Sequence, residues 1–92
     1  MGVPFVNLKY FSIEEEIVRL AEEDFAREHH LIPLYRFGSG LVVAIEDPLN
    51  WRALNTLGFL TKMSIEPVMA STDDISRAID VYYGGENQRQ TG

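Results

Sequence analysis

The sequence predicts an α+β fold, an α/β sandwich in which helices pack on a small mixed sheet of roughly three strands. Two apolar runs flank Gly38-Ser39-Gly40, which is typical of a hairpin. A helical pattern and a third apolar run follow, and a strand-helix-strand unit implies a parallel pair with a right-handed crossover. An amphipathic pattern at the end of the chain predicts a last helix, so the expected order is helix-β-β-α-β-α.

The composition predicts one domain at most and excludes several classes of function. The 92 residues carry a net charge of −6, and seven of the 14 acidic residues lie within Glu14–Glu28. Phosphate backbones require clustered Lys and Arg, so we expect no nucleic-acid partner and favour a basic protein surface. The absence of cysteine excludes disulfides and thiolate sites. No apolar run approaches the roughly 20 residues of a membrane helix, so we expect a cytoplasmic protein without direct membrane insertion.

The first 30 residues predict a short edge strand and a helical stretch. Val3–Leu8 is apolar, and Pro4 cannot donate to a ladder, which favours an edge. Ser12 followed by Glu15 fits a capping box. Apolar residues then recur with a helical period to about His30, either as one helix or as two pieces broken near Ala21.

The two arms of the hairpin differ in character. Pro33 lies in the first arm, which places that arm at an edge or makes its start irregular. The second arm, Leu41–Ile45, is almost continuously apolar, which fits a central strand covered on both faces.

The pair Asp47-Pro48 follows this strand and predicts a helix start, with Asp47 as N-cap and Pro48 as first helical residue. The helix, Pro48–Leu60, would then present an apolar face to the core. That face is expected to comprise Trp51, Leu54, Leu57 and Leu60. The alternative is that Asp47 caps and also contacts a ligand or partner, because open α/β sheets hold ligands at the carboxyl ends of strands.

The remaining chain predicts a strand, a helix and a tail. Met63–Ala70 contains Pro67, so it is expected to be edge-like or bulged. Ser71-Thr72-Asp73-Asp74 starts the last helix, and Gly84-Gly85 ends it. Its buried stripe is expected to comprise Ile75, Ala78, Ile79, Tyr82 and Tyr83. We therefore expect a single domain over residues 1–85 and a disordered polar tail over residues 86–92.

No constellation in the sequence predicts catalysis, a cofactor or a metal. His29 and His30 are adjacent, whereas helical metal sites prefer i, i+4 spacing, so a pair that complements the helix dipole is favoured. The glycine turn lacks the spacing of a phosphate loop. The acidic runs, Glu14–Glu16 and Glu22–Asp24, favour a solvated helix face, and a partner-docking face is the alternative.

The order of several motifs resembles the N-terminal domain of type II secretion and type IV pilus assembly ATPases, the GspE/MshE N-terminal domain family. These motifs are "VPFVNL", then "LIPL" before a glycine turn, "AIEDP" at a strand end, and "EPVMAS" before a helix that ends in tyrosine. The similarity spans Val3 to Tyr83. It covers the portion of the family domain that follows its Arg-Leu-Gly repeats.

The resemblance implies a non-catalytic accessory domain that docks a motor to the cytoplasmic part of an inner-membrane platform protein. The expected partner-binding residues are Glu22, Glu23, Glu28 and Asp47. The alternative is the remnant or half of a cyclic di-GMP-sensing domain. In the family, tandem Arg-Leu-Gly repeats bind that nucleotide, and the nearest string here, Arg19-Leu20-Ala21, lacks the glycine. We therefore expect no cyclic di-GMP binding by this stretch alone.

Overall fold

The computed structural model describes residues 3–84, which form four α-helices and three strands. The predicted order helix-β-β-α-β-α and the α+β class are confirmed. The tail over residues 86–92 and Gly85 lie outside the described residues, and the extent of the domain stays a prediction. The elements are α1 (Glu15–Val18), α2 (Glu23–His29), β1 (Leu31–Phe37), β2 (Gly40–Ile45), α3 (Trp51–Thr61), β3 (Ser64–Met69) and α4 (Thr72–Ile79).

The sheet is mixed and has the strand order β1-β2-β3. β1 and β2 are antiparallel, and the turn between them places Gly38 at φ +57°, the positive value that a type II′ hairpin turn requires at its first central position. β2 and β3 are parallel, with α3 as the crossover. All six residues of β2 are buried, so both of its faces are covered, as its continuous apolar run predicted.

Pro33 lies on the outer edge of β1, as the sequence predicted. The N–H of Glu46 donates to the carbonyl of His30 at 3.1 Å, which marks a bonded position of the antiparallel ladder. Bonded and non-bonded positions alternate, so Pro33, three residues on, is a non-bonded position. Its missing N–H is therefore turned away from β2. The register shifts directly after it, between Pro33 and Tyr35.

Two prolines block the outer edge of β3. The lead-in segment was predicted to be an edge strand, but it forms a single parallel bridge, Phe5 with Met69. In that bridge, Met69 donates its N–H to the carbonyl of Pro4 (2.7 Å) and accepts the N–H of Val6 (2.8 Å). The next step of a parallel ladder would need the N–H groups of Pro67 and Pro4, which proline lacks. The bridge consequently cannot extend toward the start of β3.

The N-terminal helical stretch is broken, and its predicted cap is wrong. α1 ends at Val18 and α2 begins at Glu23, which confirms a break near Ala21. The helix does not start from Ser12: Glu14 is the N-cap residue and makes no side-chain cap bond. The N–H of Ile13 donates instead to the hydroxyl of Tyr82 at 3.1 Å. This tertiary bond holds the chain extended where the capping box would have begun.

The contrast between two serines gives a test. Ser71 caps α4 by accepting the N–H of Asp74 at 3.1 Å, as the sequence predicted. Ser71→Ala should therefore lower the free energy of unfolding by about 0.5–2 kcal/mol. Ser12→Ala is the matched control and should stay within about 0.5 kcal/mol of the parent, because Ser12 is exposed and caps nothing. Urea denaturation measures both, and equal losses would contradict the cap assignment.

The start of α3 was predicted three residues too early. Asn50 is the N-cap and accepts the N–H of Ala53 at 3.2 Å. Asp47 instead accepts the N–H of Leu49 at 3.0 Å, and its carbonyl accepts the N–H of Asn50 at 3.1 Å. Asp47 and Pro48 thus form a turn that precedes the helix. Asp47 stabilises that turn and does not cap the helix.

The predicted apolar face of α3 is half right. Leu54 and Leu57 are buried, whereas Trp51 is 64% exposed and Leu60 is 63% exposed. A spacing of three residues rotates each side chain by about 60° relative to the last, because the helix turns about 100° per residue. Over nine residues the row has turned by about half a circle. Only its two central members face the core, where Ala53 joins them.

Candidate docking surface

The acidic segment, defined as Glu14–Glu28, folds into α1, α2 and the link between them. It contains seven carboxylates and only two arginines, Arg19 and Arg27, so it carries most of the negative net charge of the chain. Of the four residues proposed for partner binding, Glu23 and Glu28 lie on α2 and Glu22 is its N-cap. The structure therefore places the candidate acidic contacts on one short helix.

Glu23 is already paired within the domain. Its Oε2 lies 2.9 Å from Nε of Arg27, and Nη2 of Arg27 lies 3.1 Å from Oδ1 of Asp80. The hydrogen bond that Arg27 donates to Glu23 is the main cause that raises the pKa of Arg27, and burial opposes it. This network ties α2 to the chain that follows α4. Glu23 is therefore less available to a partner than its neighbours are.

Glu22 and Glu28 are exposed, and within residues 3–84 no cation forms an ion pair with either. Glu22 precedes the first turn of α2, and Glu28 lies in its last turn. Arg19, the remaining cation of the acidic segment, is bound to Glu15 at 2.6 Å. Uncompensated charge thus lies at both ends of α2, and the exposed Glu14, Glu16 and Asp24 also form no ion pair within residues 3–84.

Asp47 lies near the end of α2 and not on it. Glu46, the preceding residue, bonds to the carbonyl of His30, which directly follows α2. Asp47 is exposed, but one carboxylate oxygen holds the N–H of Leu49. The carboxyl end of β2 and the C-terminal end of α2 therefore share one end of the sheet.

A groove between α2 and α3, called here the α2–α3 groove, was not predicted from the sequence. It has a volume of about 420 Å³. Its floor includes the buried residues Ala21 and Leu57, and its walls are Leu20, Phe25 and Leu60. Leu60 had been assigned to the core. Its rotation about the helix axis, away from the buried Leu54 and Leu57, is the signal that could have indicated a surface role.

Two charged side chains, Arg19 and Glu22, also line the α2–α3 groove. Arg19 is neutralised by its ion pair with Glu15, so the charge left at the rim is the single carboxylate of Glu22, which has no ion-pair partner among residues 3–84. An apolar floor with a negative rim suits an apolar side chain that is flanked by cations.

Two tyrosines after α4 bond to the N-terminal part of the chain, Tyr82 to Ile13 and Tyr83 to the link between α1 and α2. They lie in a π-helical turn, Asp80–Gly84. The Tyr83 hydroxyl lies 2.9 Å from the carbonyl oxygen of Val18 and 2.8 Å from that of Ala21, and it can donate to both. Burial, followed by repulsion from Glu23, raises the pKa of Tyr83 well above its usual value. The link between α1 and α2 is therefore held by a tertiary contact.

The histidine pair ends α2, as the dipole argument predicted. His29 is the last helical residue, and its ring lies 4.6 Å from that of Phe25. His30 follows at φ +54°, and its Nε2 lies 3.1 Å from Oγ of Ser76 on α4. Within residues 3–84 no group of three His, Cys, Asp or Glu side chains is arranged to bind a metal.

None of the helices within residues 3–84 combines the length and the apolar character needed to cross a bilayer.

Comparison with known families identifies the chain. The model of the MshEN domain family matches residues 1–89. The type IV pilus assembly ATPase PilB of Myxococcus xanthus is 44% identical over 82 residues, which are 89% of this chain and 14% of that protein. PilB of Pseudomonas aeruginosa is 33% identical over 79 residues, 86% of this chain and 14% of that protein. The chain therefore spans about a seventh of the length of these relatives.

Solved structures show the same fold. MshE, in a structure determined with cdg, has a TM-score of 0.78 and 26% identity; the match covers 88% of this chain and 59% of that chain. The N-terminal domain of XpsE has a TM-score of 0.80 and 21% identity, with 89% and 58% covered. The resemblance that the motifs predicted is confirmed by the MshEN family and by the relatives among type IV pilus assembly ATPases, and XpsE shares the fold.

Proposed function

This chain belongs to the MshEN domain family, and from that membership we propose that it is a non-catalytic accessory domain that docks its parent protein to the cytoplasmic part of an inner-membrane platform protein. The parent would be a type IV pilus assembly or type II secretion ATPase. The domain would act in the cytoplasm, at the inner membrane only through its partner. The observation that carries the proposal is the 44% identity with the corresponding part of a type IV pilus assembly ATPase.

The surface of α2 supports this role. Glu22 and Glu28 are exposed and have no cation partner within residues 3–84, so both can bind a basic protein without first losing an internal ion pair. We assign the main contacts to these two residues. Glu23 and Asp47 take a secondary place in the proposed interface, because Arg27 and the N–H of Leu49 already engage them.

Charge reversal on α2 tests the docking role. Glu22→Lys with Glu28→Lys should weaken binding to the purified cytoplasmic fragment of the platform protein by about tenfold, because two attractive charges become repulsive. The loss should shrink as salt is raised, since exposed charges are screened. Titration calorimetry measures the affinity.

Glu66→Lys is the matched control for one such substitution. Glu66 is an exposed residue of β3, far from α2 in the chain, and its replacement changes the charge by the same amount. This variant should bind the platform fragment within about twofold of the affinity of the unaltered chain. Equal effects of the α2 and β3 reversals would show that only the net charge matters. Absence of binding by the unaltered chain would contradict the docking role itself.

A second candidate function is the binding of cyclic di-GMP, which the similarity to MshE, solved with cdg, favours. A titration of the chain with cyclic di-GMP, followed through backbone amide shifts, distinguishes it from docking. Specific shifts near Arg36, Asp47 or Arg52 would support a nucleotide site in these residues. Unchanged spectra at saturating nucleotide would leave docking as the preferred function.

A further inference from the structure

The α2–α3 groove has the composition of a docking site for a helix. Two buried side chains, Ala21 and Leu57, form its floor. Its volume of about 420 Å³ is sufficient for one or two apolar side chains. Leu60 projects beside it with 63% of its surface exposed, although it lies next to the core.

The sheet edges do not offer an alternative mode of docking. Pro33 removes an outward N–H from β1, and Pro67 removes one from β3. A partner strand would need those donors to continue a ladder. Strand addition is therefore disfavoured at both edges, and docking through side chains is the expected mode.

The charge of the groove selects the occupant. Glu22 lines it without an ion-pair partner among residues 3–84, whereas Arg19, the other charged residue of the lining, is paired with Glu15. Anionic lipid surfaces and nucleic acids would be repelled. A second copy of this chain would also be repelled, because its own net charge is −6. A cationic protein segment is attracted.

From these observations we propose that the α2–α3 groove binds a cationic amphipathic helix of a partner protein. Two leucine-like side chains, at i and at i+3 or i+4, enter the groove between Phe25 and Leu60, and Lys or Arg beside them face Glu22. The proposal rests on the docking role and adds the site, the chemistry of the partner and its secondary structure.

A synthetic peptide tests the groove independently of any platform protein. The probe has about 18 residues, or five helical turns, with leucines on one face and lysines elsewhere. A control peptide has the same composition in a scrambled order that spreads the leucines around the helix. The 92-residue chain should bind the amphipathic peptide about tenfold more tightly than the scrambled one. Equal affinities would overturn the proposal, because charge alone would then explain binding.

Two substitutions on α3 locate the binding. Leu60→Gln should weaken binding of the amphipathic peptide about fivefold or more, since it removes an apolar wall of the groove. Phe59→Gln is the matched control: Phe59 is the adjacent residue, is 81% exposed and does not line the groove. It should change the affinity less than twofold. Similar losses for both variants would overturn the site.

The same variants separate this proposal from the docking role. If the platform fragment binds the unaltered chain and Leu60→Gln equally well, docking stands and the groove is overturned. If the fragment does not bind but the peptide binds through Leu60, the groove stands and the proposed function fails. Self-association of the chain that Leu60→Gln abolishes would overturn the assignment of the occupant, and analytical ultracentrifugation measures it.

Discussion

Leu57→Ala is expected to lower the free energy of unfolding by about 2–5 kcal/mol, the range for large-to-small changes in a packed core. Leu57 is fully buried on α3 and contributes to the floor of the α2–α3 groove. Its truncation removes apolar surface from the core and leaves a cavity that the sheet beneath cannot fill. Denaturation by urea, followed by circular dichroism, measures the loss.

Leu60→Ala is the control for this experiment, with the same chemical change on the same helix. Because Leu60 is mostly exposed, its truncation should change the free energy of unfolding by only about 0.5 kcal/mol. Losses of equal size would contradict the burial assigned to α3. They would support the apolar face predicted from the sequence, in which both leucines belong to the core.

The topology could be predicted because its signals are local. The hairpin follows from Gly38 between two apolar runs, and the central place of β2 follows from its continuous apolar character. The break between α1 and α2 was visible only as an alternative, because one helical period runs through both pieces. Whether a segment is a helix or a strand could therefore be predicted from patterns within a few residues, which the sequence shows directly.

Helix starts were less predictable because several residues compete for each cap. Ser71 was predicted correctly, but Asn50 caps α3 in place of Asp47, and Ser12 caps nothing. All are residue types that favour N-caps, so type alone cannot decide among them. The bond from Ile13 to Tyr82, 69 residues away in sequence, decides against Ser12. Such contacts are invisible in a local pattern.

The candidate docking surface could be predicted only in part. The sequence indicates that Glu22, Glu23 and Glu28 share a helix. In the structure Glu23 and Glu28 lie on α2, and Glu22 is its N-cap. The sequence does not indicate that Asp80 completes a network that binds Glu23 through Arg27. The α2–α3 groove also brings together residues far apart in the chain, so a linear pattern could not reveal it.

Tyr83 gives the second large effect. Tyr83→Phe is expected to lower the free energy of unfolding by about 1–3 kcal/mol, because the carbonyl groups of Val18 and Ala21 lose their shared donor in a partly buried position. Tyr10→Phe is the matched control. Tyr10 is 86% exposed, so the loss of its hydroxyl should cost less than about 0.5 kcal/mol.

The pH dependence of this effect tests its physical cause. Burial raises the pKa of Tyr83 in the folded state, whereas an unfolded tyrosine titrates near its ordinary pKa of 10.0. Below that value both states are protonated, and the contribution of Tyr83 to stability is complete. Above it the unfolded state ionises first, so this contribution is lost as the pH rises through the folded pKa, by up to about 1.4 kcal/mol per pH unit.

The stability difference between the parent and Tyr83→Phe should therefore narrow between about pH 10 and 11. A constant difference over that interval would mean that the hydroxyl is already solvated in the folded domain, and the link between α1 and α2 would then have to be held by packing alone.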